Sequence, residues 1–161
     1  IDVTDTVDLL ISGNTFIGGK AAVNIAGVLN ENVVVSGNVM RAQYRNGVNT
    51  PSDQTLGGNQ IAGNAITCDA TAHAAYDGIL LRAKQIARGN TITLDHGHAG
   101  IYPQSNSIVK DNVVRHGTAT YSIRMDGGTT AIIVKNNEVT TAVVNAGGGS
   151  NEVSDNSVIA A

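Results

Sequence analysis

The chain has 161 residues, one domain by the usual prior of roughly 100–200 residues per domain. Apolar residues make up an ordinary 42%, yet charged residues are only 14% and aromatics 3%, with 19 Gly, no Trp and one Cys, so something other than an aromatic core holds the fold. The formal net charge is −3 with no run of Lys or Arg. No apolar stretch reaches the roughly 18–20 residues of a spanning helix, so neither nucleic acid nor membrane is an expected partner.

Read from the N-terminus, one kind of segment recurs. It stands as Leu10-Ile11-Ser12-Gly13-Asn14, then Val34-Val35-Ser36-Gly37-Asn38, Ile61-Ala62-Gly63-Asn64 and Ile86-Ala87-Arg88-Gly89-Asn90. It continues as Val109-Lys110-Asp111-Asn112, Val134-Lys135-Asn136-Asn137 and Val153-Ser154-Asp155-Asn156. The anchoring asparagines are 24, 26, 26, 22, 25 and 19 residues apart, a repeat with links of variable length. Three residues before each anchor stand Ile11, Val35, Ile61, Ala87, Val109, Val134 and Val153. Two residues after it stand Phe16, Met40, Ile66, Ile92, Val114, Val139 and Val158. Around these two apolar columns the pattern alternates, is rich in β-branched residues and breaks at Gly or Asn, which predicts strand, tight turn, strand.

A unit of this length that coils once and stacks on its neighbour satisfies its backbone through parallel ladders spaced about 4.8 Å, so seven anchors predict a column about 35 Å tall. Asn is expected at the stacked turn because it tolerates the left-handed conformation and its amide can bond the next Asn. The prediction is therefore an all-β, single-stranded parallel β-helix of about seven rungs with an internal Asn ladder, one domain over residues 1–161. With Ile at its first position and no cap for the first rung, the chain is expected to be part of a longer column. Cys68 has no disulfide partner and belongs to no thiolate cluster.

These Asn-anchored rungs, covering almost the whole chain, resemble the right-handed parallel β-helix (pectate-lyase-like) superfamily of polysaccharide lyases, hydrolases and epimerases and of bacteriophage tailspikes. The Asp-Pro-His-Asp signature of mannuronan epimerases is absent, Asp95-His96-Gly97-His98 being a distant echo. So are an Asp cluster like the calcium site of pectate lyases and Gly-Gly-x-Gly-x-Asp calcium repeats. No metal or other cofactor is expected.

Aligning the strand before each turn puts Val23, Val48, Ile79, Ile101, Ile123 and Val144 in one inward column. Asn24, Asn49, Leu80, Tyr102, Arg124 and Asn145 then point outward, followed two steps on by Ala26, Pro51, Arg82, Gln104, Asp126 and Gly147. The middle rungs thus gather Arg82, Tyr102, Gln104, Arg124 and Asp126 on one exposed face, which suits an extended glycan or is simply a solvated face where Arg124 and Asp126 pair. In the link before Tyr102, His96 and His98 fall on one side with Asp95 beside them. A base next to an acid suits proton abstraction from a uronic acid, with Arg124 or Arg82 neutralising the sugar carboxylate. The alternative is a polar loop. His-x-His offers only two metal ligands.

Asp95 with Asp126 is the one pair nominated for an inverting hydrolase, which needs carboxyls about 6.5–9.5 Å apart. His116 is expected to pack at a corner or bond a carbonyl. Asp69 and Asp77 flank the longest divergent link, Thr71 to Tyr76, and Gly18-Gly19-Lys20 and Gly147-Gly148-Gly149 read as turns rather than phosphate loops.

The leading expectation is a segment of a phage tailspike or tail fibre that recognises a bacterial surface polysaccharide through Arg82, Tyr102, Gln104 and Arg124. The resemblance implies a homotrimer on the virion tail, outside the host cell. A second expectation is a secreted or periplasmic enzyme, a polysaccharide lyase, uronate epimerase or glycoside hydrolase. Its catalytic candidates are His98, His96, Asp95, Arg124 and Asp126, with Tyr102 as acid. A third is a structural or adhesin module.

Overall fold

The computed structural model describes residues 1–41, 45–50, 57–68, 77–95, 97–117 and 121–159. Among them the chain makes strands and corners and no helix. The first turn runs β1 (Asp2–Thr4), β2 (Leu10–Ser12) and β3 (Thr15–Ile17), and the second β4 (Val23–Ala26), β5 (Val34–Ser36) and β6 (Val39–Arg41). The third has β7 (Val48–Asn49), β8 (Gln60–Ala62) and β9 (Ala65–Cys68), and the fourth β10 (Ile79–Leu81), β11 (Ile86–Arg88) and β12 (Thr91–Leu94). Next come β13 (Ala99–Pro103), β14 (Ile108–Lys110) and β15 (Val113–His116), then β16 (Tyr121–Met125), β17 (Ile133–Lys135) and β18 (Glu138–Val139). The last turn is β19 (Val144–Asn145), β20 (Glu152–Ser154) and β21 (Ser157–Val158).

Every third strand joins the same sheet, giving three seven-stranded sheets: sheet I from β1 to β19, sheet II from β2 to β20 and sheet III from β3 to β21. Each pairing is parallel. Backbone groups are therefore satisfied between turns rather than within them. Of the seven turns that the anchors count, five are covered on both sides, and the first and last each present one open edge.

The corner between sheets II and III repeats one device. The Oδ1 of each anchor after Asn14 accepts both the backbone N–H and the Nδ2–H of the anchor one turn earlier, as Asn90 does from Asn64, at 3.0 Å each. The Nδ2 of Asn90 also reaches Ile61 O, on the strand of the earlier turn, at 2.9 Å. The ladder runs from Asn14 to Asn156, with the anchors from Asn38 to Asn137 buried. Buried amides are tolerated because each is bonded on both sides.

The left-handed residue is not the anchor itself. It is the residue before it, Gly13, Gly37, Gly63, Gly89, Asp111, Asn136 or Asp155, with φ of 53–67°. The division of labour is physical: the residue before the anchor makes the bend, which leaves the anchor's side chain aimed along the axis.

Both apolar columns are inside through the middle of the barrel, from Ile11 to Val134 and from Met40 to Val139, whereas Val153 and Val158 on the last turn are 40% and 62% exposed. At the start of sheet I the interior narrows over Ala22, Gly47, Gly78, Gly100 and Ser122. A Cβ on Gly100 would stand 2.1 Å from Val114 Cγ1 and 2.7 Å from Ser122 O. Only a residue without a side chain lets sheet I approach sheet III this closely.

The inward column of sheet I is as expected from Val23 to Ile123 but not beyond. Val144 pairs with Arg124 rather than Ile123, a slip of one residue. The shortest repeat, 19 residues, loses its length in the links, since Val114 to Arg124 spans ten residues and the equivalent Val139 to Val144 five, while sheets II and III keep their register into the last turn.

Candidate functional site on sheet I

The outward face of sheet I carries a connected set of side chains from three successive turns. Asp77 stands just before β10, at the position where the previous turn has Asn46. It is 5% exposed, and its carboxylate accepts the Ala99 N–H and the His98 Nδ1–H, each at 3.1 Å. Burial pushes the Asp77 carboxyl above the usual range, and its bonds to His98 and Ala99 and the charge of Arg124 pull it part of the way back.

On the next turn but one, Arg124 of β16 reaches back to His98, with Nη1 2.7 Å from Nε2. A guanidinium can only donate, so His98 Nε2 is the acceptor and the imidazole proton sits on Nδ1, toward Asp77. Neighbours on both sides thus fix one tautomer. Arg124 also donates Nε–H to Asp126 Oδ1 at 2.7 Å and lies 4.7 Å over the Tyr121 ring. Tyr102 donates its hydroxyl to Asp126 Oδ2. The His98 ring stands edge-on between Tyr102 and Tyr121, at 5.4 and 5.6 Å between centroids.

The Tyr102 hydroxyl and the Arg124 guanidinium hold the Asp126 carboxyl below the usual carboxylate range. Partial burial, followed by Asp126 itself, pushes the Tyr102 phenol up, while a hydrogen bond from Gln104 acts in the opposite sense. Tyr102 therefore keeps its proton at neutral pH. Arg124 and Asp126 are 29% and 36% exposed on their side chains, enough to meet a ligand.

The structure brings together five residues singled out in the sequence: His98, Tyr102, Gln104, Arg124 and Asp126. Arg82 follows Leu81, which is in register with Pro103, so it sits beside Gln104 on the same face. Its Nε is buried with no hydrogen-bond partner among the described residues. Asp95 is exposed at the corner after β12, its N–H on Cys68 O. His96, Asp69, Pro51 and the Thr71–Tyr76 link lie outside the described residues. His116 is buried at a corner, as expected, with its ring bonded to the Thr141 hydroxyl rather than to a carbonyl.

Sequence reasoning missed Tyr121 and placed Asp77 only at the edge of the divergent link, not in the cluster with His98. The signal for Asp77 was present: Asp77-Gly78-Ile79 repeats Asn46-Gly47-Val48 at the same place in the turn, and its neighbour's Oδ1 accepts the Asp77 N–H. Among the described residues no three His, Cys, Asp or Glu side chains are grouped to hold a metal ion.

Fold and site together define a parallel β-solenoid with a polar, tyrosine-bearing face. Compared with protein-family models, with curated proteins and with solved structures, the chain matches none.

Proposed function

We propose that the chain is a polysaccharide-recognising β-solenoid of the phage tailspike or tail fibre kind, acting as a homotrimer on the virion tail, and that sheet I binds an acidic bacterial surface polysaccharide around Arg124. One observation carries this reading: Arg124 is held by Asp126, His98 and the Tyr121 ring, yet only two of its five N–H groups are used in those bonds. A preset guanidinium beside tyrosine rings suits a sugar ring that bears a carboxylate. The test is titration of Arg124→Ala and wild type with capsular, O-antigen and uronate polysaccharides. The variant is expected to lose about tenfold or more in affinity with an unchanged circular dichroism spectrum. Equal affinity overturns the assignment, and a monomer in sedimentation overturns the trimer.

The convergence of His98, Tyr102 and Arg124 favours a second reading, elimination on a uronate. His98 Nε2 is masked by Arg124 at rest. A substrate carboxylate that draws Arg124 onto itself would uncover the lone pair and lower the acidity barrier of the adjacent C–H at once. His98 then takes the proton from C5, the C4=C5 double bond forms, and the C4–O4 bond breaks with the Tyr102 proton going to O4. Product release lets His98 return its proton to water and Tyr102 regain one. Unsaturated uronates absorbing in the ultraviolet, lost in His98→Gln, are the expected signature; intact polymer leaves recognition alone.

A further inference from the structure

Sheet I carries a second concavity, three to five turns from Arg124. It encloses about 370 Å³, within the usual range for small-ligand sites, and lies between the corners that precede β4 and β7. It is lined by Lys20, Arg45 and Asp2 and by Asn24, Asn46 and Asn49.

Those amides are not randomly oriented. Asn46 donates Nδ2–H to Asn49 Oδ1 at 2.9 Å, Asn49 to Asn24 Oδ1 at 2.7 Å, and Asn24 to Asp2 Oδ1 at 2.9 Å. Because the chain ends on a carboxylate, which only accepts, every amide is locked with its oxygen toward the previous donor. Asn24 and Asn49, both half-buried, each use one of two N–H groups in these bonds and offer the other to a ligand oxygen. With Lys20 and Arg45 in its lining the pocket can take an anion, and Asp2 can accept from a sugar hydroxyl.

The register ties this pocket to the Arg124 cluster. Asn24, Asn49, Leu80 and Tyr102 are successive partners in one straight outward row, so about 14 Å separates Asn24 from Tyr102. We propose that the pocket is a second subsite for an acidic glycan lying along the axis of sheet I, with Lys20 and Arg45 holding a carboxylate and Asn24 and Asn49 the hydroxyl edge of the same sugar. The inference rests on the reading of sheet I as a glycan-binding face. It adds that the ligand is read at two points, so affinity depends on chain length.

Oligogalacturonates of graded length, and their neutral methyl esters, are the probes, with wild type, Arg124→Ala and the double variant Lys20→Ala, Arg45→Ala. Lys20 and Arg45 are exposed, so the double variant is expected to fold normally. It should lose about tenfold in affinity for acidic oligomers long enough to span both points and nothing for shorter ones. The side-chain amide NMR signals of Asn24 and Asn49 should shift with acidic but not esterified oligomers, and still do so in Arg124→Ala. If acidic oligomers bind at Arg124 while those amides stay still, the second subsite falls and the first reading stands. Shifts at Asn24 and Asn49 with no effect of Arg124→Ala would keep the pocket and remove the Arg124 site. Stillness at both ends with every oligomer removes both.

Discussion

Two rows of side chains run along this column, and they are built on opposite rules. The row inside the corner of sheets II and III is the same residue in each of seven turns, and each link repeats the geometry of the last. The face outside sheet I is varied, its bonded side chains running from Asp2 through Asn24, Asn49 and Asn46 to Asp77, His98, Arg124 and Asp126. Repetition inside makes every bond support its neighbours, because a shift at one rung would misalign the next. Variety outside creates local charge, tautomer choice and pockets, none of which a uniform row can have. The interior row specifies the fold, and the exterior row has the freedom to specify a ligand.

The sharpest way to break this comparison is to interrupt each row once. Asn90→Ala, in the middle of the interior ladder, leaves the backbone N–H and Nδ2–H of Asn64 without their acceptor and removes the Nδ2 bonds to the Ile61 carbonyl and to the Asn112 oxygen, which keeps only the backbone N–H of residue 90. A loss of ~3–5 kcal/mol is expected in guanidinium unfolding, because several buried groups lose bonds at once. A loss under ~1 kcal/mol would mean that the ladder decorates the fold rather than holding it.

Gln85 tests the rule from the other side, since it is fully buried just before β11 and neither amide atom has a partner among the described residues. Gln85→Leu, of similar volume, is expected to gain ~1–3 kcal/mol by removing an unsatisfied amide. A destabilised variant would show that the amide is satisfied by buried water.

The smallest effects come from the exterior row and differ in sign with pH. The Asp77 carboxyl is raised in the folded chain, so the stability it contributes is present below the ordinary aspartate value of about 3.9 and is lost as pH rises through its folded value. Asp126 is held low, so its contribution is present above about 3.9 and is lost as pH falls through its folded value. Relative to wild type, Asp77→Asn should therefore gain thermal stability as pH rises above about 4, and Asp126→Asn should lose it, modestly because that side chain is exposed. Midpoints of both variants that track wild type across pH 3–7 would contradict the assignment.

The same contrast explains what could be read in advance. The anchors, their apolar columns and the face of Tyr102, Arg124 and Asp126 were legible because strict alternation and a stacked amide leave a periodic trace. The left-handed position was misassigned because Asn is itself a good left-handed residue, although Gly13, Gly37, Gly63 and Gly89 stood beside the anchors. The pairing of Asp77 with His98 is not legible because the two are one turn apart in space but 21 residues apart in sequence. The slip at Val144 is not visible in the sequence because a short repeat says that length is missing without saying which link loses it.

That slip has a mechanical consequence. The seam between β16 and β19 joins two pairs of residues, where the seam between β12 and β15 joins four. A column whose turns touch only their neighbours comes apart under tension like a zip, from its weakest tooth. Pulled along its axis, this one has such teeth in sheets I and III, where β4–β7, β7–β10, β13–β16 and β15–β18 also join two pairs, while every seam of sheet II joins three.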